Sequence, residues 1–235
     1  MSEQRQPLVE AATLRCNTHG TYRAWRTDTP CPRCVSERLD AEELRERQLN
    51  SSNLRGRFRE CTFDSFEATE LRQRAVLEAC RSFAETFGDE DGGGLWLIGP
   101  VGTGKSHLGA AMVRAARFDR NMSAVLMTAR EMVRDLRATW RRDSSVSEED
   151  RIEDLGRRSL LVLDEIGVGF GSDAEQVQLF DVLDLRYQLK RPTVLLSNLN
   201  LPALKMALGD RAFDRLREAS RVLICDWASY RRPLA

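Results

Sequence analysis

A chain of 235 residues, 42% hydrophobic and 31% charged, has room for one α/β domain of about 150 to 180 residues plus a small appendage, and can bury a core without disulfides. Its 36 basic residues balance 36 acidic ones, which excludes a globally basic surface and confines any nucleic-acid contact to a local patch. No apolar run approaches the roughly 18 to 20 residues of a membrane span, and Met1 to Glu10 is too polar for a signal peptide, so a cytoplasmic protein with no membrane contact is expected.

The first pattern along the chain is a metal-ligand set. Cys16-x₂-His19 and Cys31-x₂-Cys34 form two knuckles separated by eleven residues, a Cys₃His combination suited to tetrahedral Zn²⁺. Four ligands leave no open position for water, so the expected zinc is structural, and its binding would drive folding of a segment too short to bury a core alone. Tyr22 and Trp25 are expected to cover it, while Arg23, Arg26 and Arg33 offer either a partner contact or a solvated basic face. Cys61, Cys80 and Cys225 read as small buried residues in a reducing compartment.

Ser36 to Gln48 carries a capping serine and strong helix formers, predicting a solvated connecting helix, and Asn50 to Gly56 (NSSNLRG) has linker composition. The expected organisation is a zinc-binding N-terminal module over residues 1–35, a connecting helix and linker over 36–57, and an α/β domain over 58–235. Phe63 and Phe66 precede a helix predicted over Thr69 to Phe87, which Asp91 to Gly94 breaks. Strands then follow at Leu95 to Ile98, Ala124 to Met127, Leu160 to Leu163, Thr193 to Ser197 and Val222 to Cys225. Helical patterns alternate with them from Lys105, from Ala129 and around Glu175 to Leu189. That alternation predicts a mostly parallel five-stranded sheet covered on both faces.

Gly99-Pro100-Val101-Gly102-Thr103-Gly104-Lys105-Ser106 follows the first of these strands and opens a helix, the context a phosphate-binding P-loop demands. Glycines let main-chain N–H groups approach phosphate oxygens, and the helix N-terminus adds partial positive charge. Lys105 would reach the β and γ phosphates of ATP, and Ser106 would complete a Mg²⁺ shell. His107, next in the run, is counted with the nucleotide-binding residues by position but reads as a surface or packing residue rather than a catalyst. Leu160 to Glu165 (LLVLDE) ends a buried strand in two carboxylates: Asp164 to hold Mg²⁺ and Glu165 to polarise the attacking water, which favours hydrolysis over transfer. Asn198, at a neighbouring strand tip, would align that water. Arg211 and Arg215 lie four apart on one helical face, where an arginine could reach a neighbouring subunit's γ-phosphate or simply pair with the local aspartates.

The order GPVGTGKSHL, LLVLDEIG, LLSNLN, LGDRAFDRLR and WASYRR, opened by ECTFDSF, resembles the DnaC-type and IstB-like AAA+ ATPases over Cys61 to Arg232, the DnaC-type helicase loaders more closely. The resemblance implies an AAA+ P-loop domain without the usual C-terminal lid, a replicative helicase ring as partner of the N-terminal region, and placement of that helicase on single-stranded DNA. It implies Asp164 and Glu165 as the Walker B pair, Asn198 as sensor 1, and Arg215 as the arginine finger with Arg211 in reserve. Weak hydrolysis and head-to-tail assembly into an open ring or spiral follow. It also implies a single-stranded-DNA contact on a helix over Ala129 to Arg142, where Arg137 and Arg141 supply charge and Trp140 a stacking ring. Two rivals remain: an IstB-like transposition ATPase, and a zinc-containing adaptor switched by nucleotide.

Overall fold

The computed structural model describes residues 12–24, 26, 28–88, 93–167, 173–218 and 220–231; the expected cover by Trp25, half of the break at Asp91 to Gly94, and Arg232 fall outside that set. The chain divides into two compact units, residues 1–47 and 48–235.

In the first unit, strands β1 (Ala12–Cys16) and β2 (Gly20–Ala24) pair antiparallel, with Cys16 opposite Gly20. Helix α1 (Pro32–Ser51) follows. Proline suits a first helical turn because its missing N–H would have no intrahelical partner there. The helix therefore starts four residues earlier than the capping serine suggested, and it runs on to Ser51.

The stretch from Asn50 to Gly56 is not a free linker. Leu54 is 3% exposed and Ser52 fully buried, and the segment caps the open edge of the sheet: Leu126 N–H donates to Ser52 O at 3.0 Å and Asn53 Nδ2 donates to Leu126 O at 2.8 Å. Its polar composition satisfies an edge strand, a demand that composition alone cannot distinguish from solvation.

In the second unit, helix α2 (Leu71–Thr86) leads to a sheet built from β3 (Gly94–Ile98), β4 (Ala124–Thr128), β5 (Leu160–Asp164), β6 (Thr193–Ser197) and β7 (Ser220–Ile224). Its order is β4-β5-β6-β3-β7, parallel throughout. Side chains alternate between two cores. Leu95, Leu97, Leu126, Val162 and Leu196 face one with α2 and α3 (Lys105–Phe118); Trp96, Ile98, Met127, Leu161, Leu163 and Leu195 face the other with α4 (Ala129–Ala138), α5 (Glu148–Arg157), α6 (Asp173–Gln188), α7 (Leu201–Leu208) and α8 (Asp210–Glu218). Burial on both faces explains why β3 to β6 are apolar at nearly every position, whereas the edge strand β7 exposes Arg221 and Ile224. Among the described residues no helix follows β7, and no helix is long and apolar enough to cross a membrane.

Helix α5 escaped the sequence reading, although Ser147 and Asp150 form a capping box at its start. Its other end rests on Arg186, which is 0% exposed. The guanidinium donates to the carbonyls of Leu155 at 2.7 Å, Arg158 at 2.9 Å and Pro192 at 2.5 Å, and to Thr193 Oγ1 at 2.9 Å. Burial pushes its pKa down, yet a fork of donors matched to helix-end carbonyls keeps it charged and welds α5 to the start of β6. Arg186→Met should cost about 3 to 5 kcal/mol in a urea melt, because the carbonyls it served would stay buried without donors; a loss under 1 kcal/mol would show that they find other partners.

Candidate functional site

The loop between β3 and α3 crosses the carboxyl edge of the sheet. Gly102 and Gly104 both take φ +86°, where an added Cβ would lie 1.9 Å from Ser229 Oγ and 2.5 Å from Phe66 Cε2 respectively. Glycine is required there both by conformation and by space. Lys105, 6% exposed, folds its Nζ onto the loop's own carbonyls, Gly99 O and Pro100 O, each at 2.7 Å. Burial lowers its pKa, with the Asp164 carboxylate among the groups that oppose the shift. A buried ammonium satisfied only by neutral acceptors fits a phosphate cradle, since an anion supplies the charge those carbonyls lack.

Burial raises the pKa of Asp164, at the tip of β5, and the nearby Ser106 hydroxyl is among the groups that oppose the shift. Hydroxyl and carboxylate therefore meet where Mg²⁺ would be held, a hard oxygen pair suited to it. Glu165 is exposed and left-handed at φ +56°, a conformation costing on the order of 1 kcal/mol or more that collects at working sites. Its N–H donates to Asp164 Oδ1 at 2.7 Å. Asn198 is exposed just beyond β6, the strand lying between β5 and β3. Its buried neighbour Ser197 donates to Ile166 O at 2.9 Å, and Ser197 O accepts from Gly99 N–H at 3.2 Å. Ser197 thus joins the acidic corner to the phosphate loop, a role that sequence reasoning gave to no residue.

Two further contacts to the loop were also missed. Tyr230 N–H donates to Gly102 O at 2.9 Å and Trp227 Nε1 to Thr103 O at 3.1 Å. His107, read as a packing residue, meets Thr62 O at 2.8 Å and Ser65 Oγ at 3.2 Å, with Phe66 edge-on at 5.6 Å. No local periodicity could announce contacts spanning 124 residues.

The arginine pair separates. Arg215 is ion-paired with Asp184 and lies 5.6 Å and 5.7 Å from the ring centroids of Phe180 and Tyr187; Arg211 is exposed on α8. The helix expected over Ala129 to Arg142 ends at Ala138, where the Thr139 hydroxyl donates to Leu136 O at 2.6 Å and occupies a last-turn carbonyl. Trp140 and Arg141 therefore sit in the turn beyond it. Trp140 is 61% exposed, donates Nε1 to Glu148 Oε2 at 2.9 Å, and lines a groove of about 580 Å³ with Ile152, Ala174, Val177, Glu149 and Asp181. Arg137 pairs with Glu175 at 3.4 Å, while Arg130 and Arg134, which the sequence analysis left aside, are exposed on the same helical face.

In the first unit, one ligand atom from each of Cys16, His19, Cys31 and Cys34 lies within 4.8 Å of the others. Cys16 Sγ and Cys34 Sγ are 3.5 Å apart and His19 Nδ1 is 3.2 Å from Cys34 Sγ, near the roughly 3.5 to 3.8 Å edges of a tetrahedron with zinc-length bonds. His19 Nε2 meets Glu37 Oε1 at 2.9 Å, which leaves Nδ1 as the metal-facing nitrogen. The N–H groups of His19 and then Thr18 hold the Cys16 thiol down to about 6, while its hydrogen bond to Cys16 pushes the Cys34 thiol up to about 11, so the pair without metal shares one proton. The donor set fits structural zinc. Tyr22 OH donates to Thr29 O at 2.5 Å, and Arg26 is paired with Asp28 at 3.1 Å.

A parallel sheet with a glycine-rich phosphate loop after one strand and a carboxylate at the tip of another defines an ATP-binding protein of the AAA+ P-loop class. The chain belongs to the IstB-like ATP binding protein family, whose model matches residues 35–233. It is 34% identical over 188 residues to the replicative helicase loader DnaC of Buchnera aphidicola subsp. Acyrthosiphon pisum, covering 80% of this chain and 76% of that one. It is 32% identical over 210 residues to the replicative helicase loader DnaC of Escherichia coli K12, covering 88% and 84%. In fold it is similar to a crystal structure of the DnaC helicase loader, with TM-score 0.66, 21% identity, and 72% of this chain covering 99% of that one. It is likewise similar to AMPPCP-bound DnaA from Aquifex aeolicus, with TM-score 0.61, 19% identity and coverages of 73% and 51%.

Proposed function

We propose that this protein uses ATP to help place a replicative helicase ring on single-stranded DNA. The observation that carries the reading is the extended identity to DnaC loaders over more than three quarters of their length, joined to a phosphate loop that holds a buried Lys105. Gly99 to Ser106 would cradle the triphosphate, with Lys105 transferring its hydrogen bonds from loop carbonyls to phosphate. Ser106 and Asp164 would hold Mg²⁺, which when bound neutralises phosphate charge. Glu165 would take the water's proton, and Asn198 would orient that water. An α8 arginine would complete a neighbouring subunit's site; Arg211 is free to do so, whereas Arg215 must first leave Asp184. Hydrolysis by the lone chain is then weak and rises on head-to-tail assembly into an open ring or spiral.

Glu165→Gln tests the assignment directly. It should bind ATP with wild-type affinity, lose turnover by roughly a hundredfold or more, and co-purify with the cognate replicative helicase in ATP. No helicase complex with either protein would remove the loader reading, and turnover unchanged in the variant would leave an adaptor whose nucleotide is incidental.

For DNA, we infer that phosphates follow Arg130, Arg134 and Arg141 while a base stacks on Trp140 in the groove, whose carboxylates repel the backbone but not a neutral ring. Trp140→Ala should weaken oligo(dT) binding by about 1 to 3 kcal/mol in fluorescence anisotropy and leave ATP affinity intact. Equal affinity would move the DNA contact elsewhere.

A further inference from the structure

The segment from Trp227 to Arg231 touches the phosphate loop through hydrogen bonds to two consecutive loop carbonyls, Gly102 O and Thr103 O. In a trans peptide the C=O and N–H of one unit point in opposite directions. A carbonyl held by the segment therefore turns the N–H of the next residue away from the segment. Fixing Gly102 O aims Thr103 N–H into the cradle, and fixing Thr103 O aims Gly104 N–H beside it.

These are main-chain donors of the kind that a phosphate nest needs. We propose that Trp227 and Tyr230 are positioning residues that preset the phosphate-binding amides before nucleotide arrives.

The segment is itself anchored. Trp227 is 6% exposed, Tyr230 OH donates to Glu67 O at 2.6 Å, and the Tyr230 ring meets Phe66 edge-on at 5.6 Å. Phe66 in turn presses on Gly104. The loop is thus gripped from both ends of the ATPase unit, by residues before α2 and by residues after β7. Without that grip the glycines, which accept many backbone conformations, would have to be ordered by the ligand, and the entropy of ordering would be subtracted from binding.

The test uses the full chain truncated after Trp227, which removes the Tyr230 contacts, and separately Trp227→Phe, which keeps an aromatic ring but deletes the Nε1 donor. ATP and ADP, both of which fill the loop with a β-phosphate, should each bind about tenfold more weakly. AMP, titrated at millimolar concentration, should bind as to the unaltered chain. A change within twofold for ADP in both variants would overturn the proposal, as would a loss for AMP matching that for ADP, since general loosening of the fold would affect the two alike. An unaltered chain that binds no ATP at all would instead sink the nucleotide site itself.

Discussion

Lys105→Ala is expected to raise the dissociation constant for Mg·ATP by at least about a hundredfold, near 3 kcal/mol, in titration calorimetry. The physical reason is the setting of the amine. Buried at 6% exposure, it is bonded among the described residues to Gly99 O, Pro100 O and more distantly to Thr103 Oγ1 at 3.4 Å, all neutral acceptors, with the Asp164 carboxylate as a nearby charge that holds its proton. Phosphate supplies a further counterion. Alanine leaves the glycine turn and the helix N-terminus in place, so circular dichroism and the melting curve should change little. Undiminished affinity would mean that Lys105 does not grip the triphosphate.

The second large effect concerns the metal. Stripping zinc with a chelator, or replacing Cys34 by serine, should unfold the hairpin of β1 and β2 while the unit spanning residues 48–235 melts as before and binds ATP unchanged. The hairpin has two strands of five residues each, and among the described residues Ala24 is its one buried side chain. A two-stranded ribbon of that size is marginal in water, whereas structural zinc contributes about 10 to 16 kcal/mol of apparent binding free energy in comparable modules. One equivalent of zinc released per chain, with loss of hairpin amide dispersion in NMR spectra, is the expected record. A hairpin that keeps its dispersion in chelator would show that the four ligand side chains cluster for another reason.

Much of this architecture was legible in one dimension. The five strands were found within two residues of their observed ends, because parallel strands buried on both faces must be apolar at nearly every position, a demand written residue by residue. The phosphate loop and the Cys₃His knuckles were legible for a related reason. Each is a short run whose chemistry depends on spacing along the backbone, so Gly102, Gly104 and Lys105, or Cys31 and Cys34, declare themselves wherever the chain later goes. Helix ends were less secure. Thr139 stopping α4, and thereby moving Trp140 off the helix, rests on one hydroxyl choosing a carbonyl three residues back.

What the amino-acid order decided alone was the class of protein and the donor sets of its two candidate sites, since both are encoded by local backbone freedom and by ligand type. The tertiary structure decided which distant groups meet: Trp227 and Tyr230 on the loop, Ser197 between loop and acidic corner, Arg186 at the end of α5, Asp184 holding Arg215, and a polar stretch at Ser52 and Asn53 sealing a sheet edge rather than linking. Each of these is a hydrogen bond or ion pair between residues well separated along the chain. Such contacts carry no periodic signature, and they come into being only when a buried donor or acceptor must find a partner inside the folded molecule.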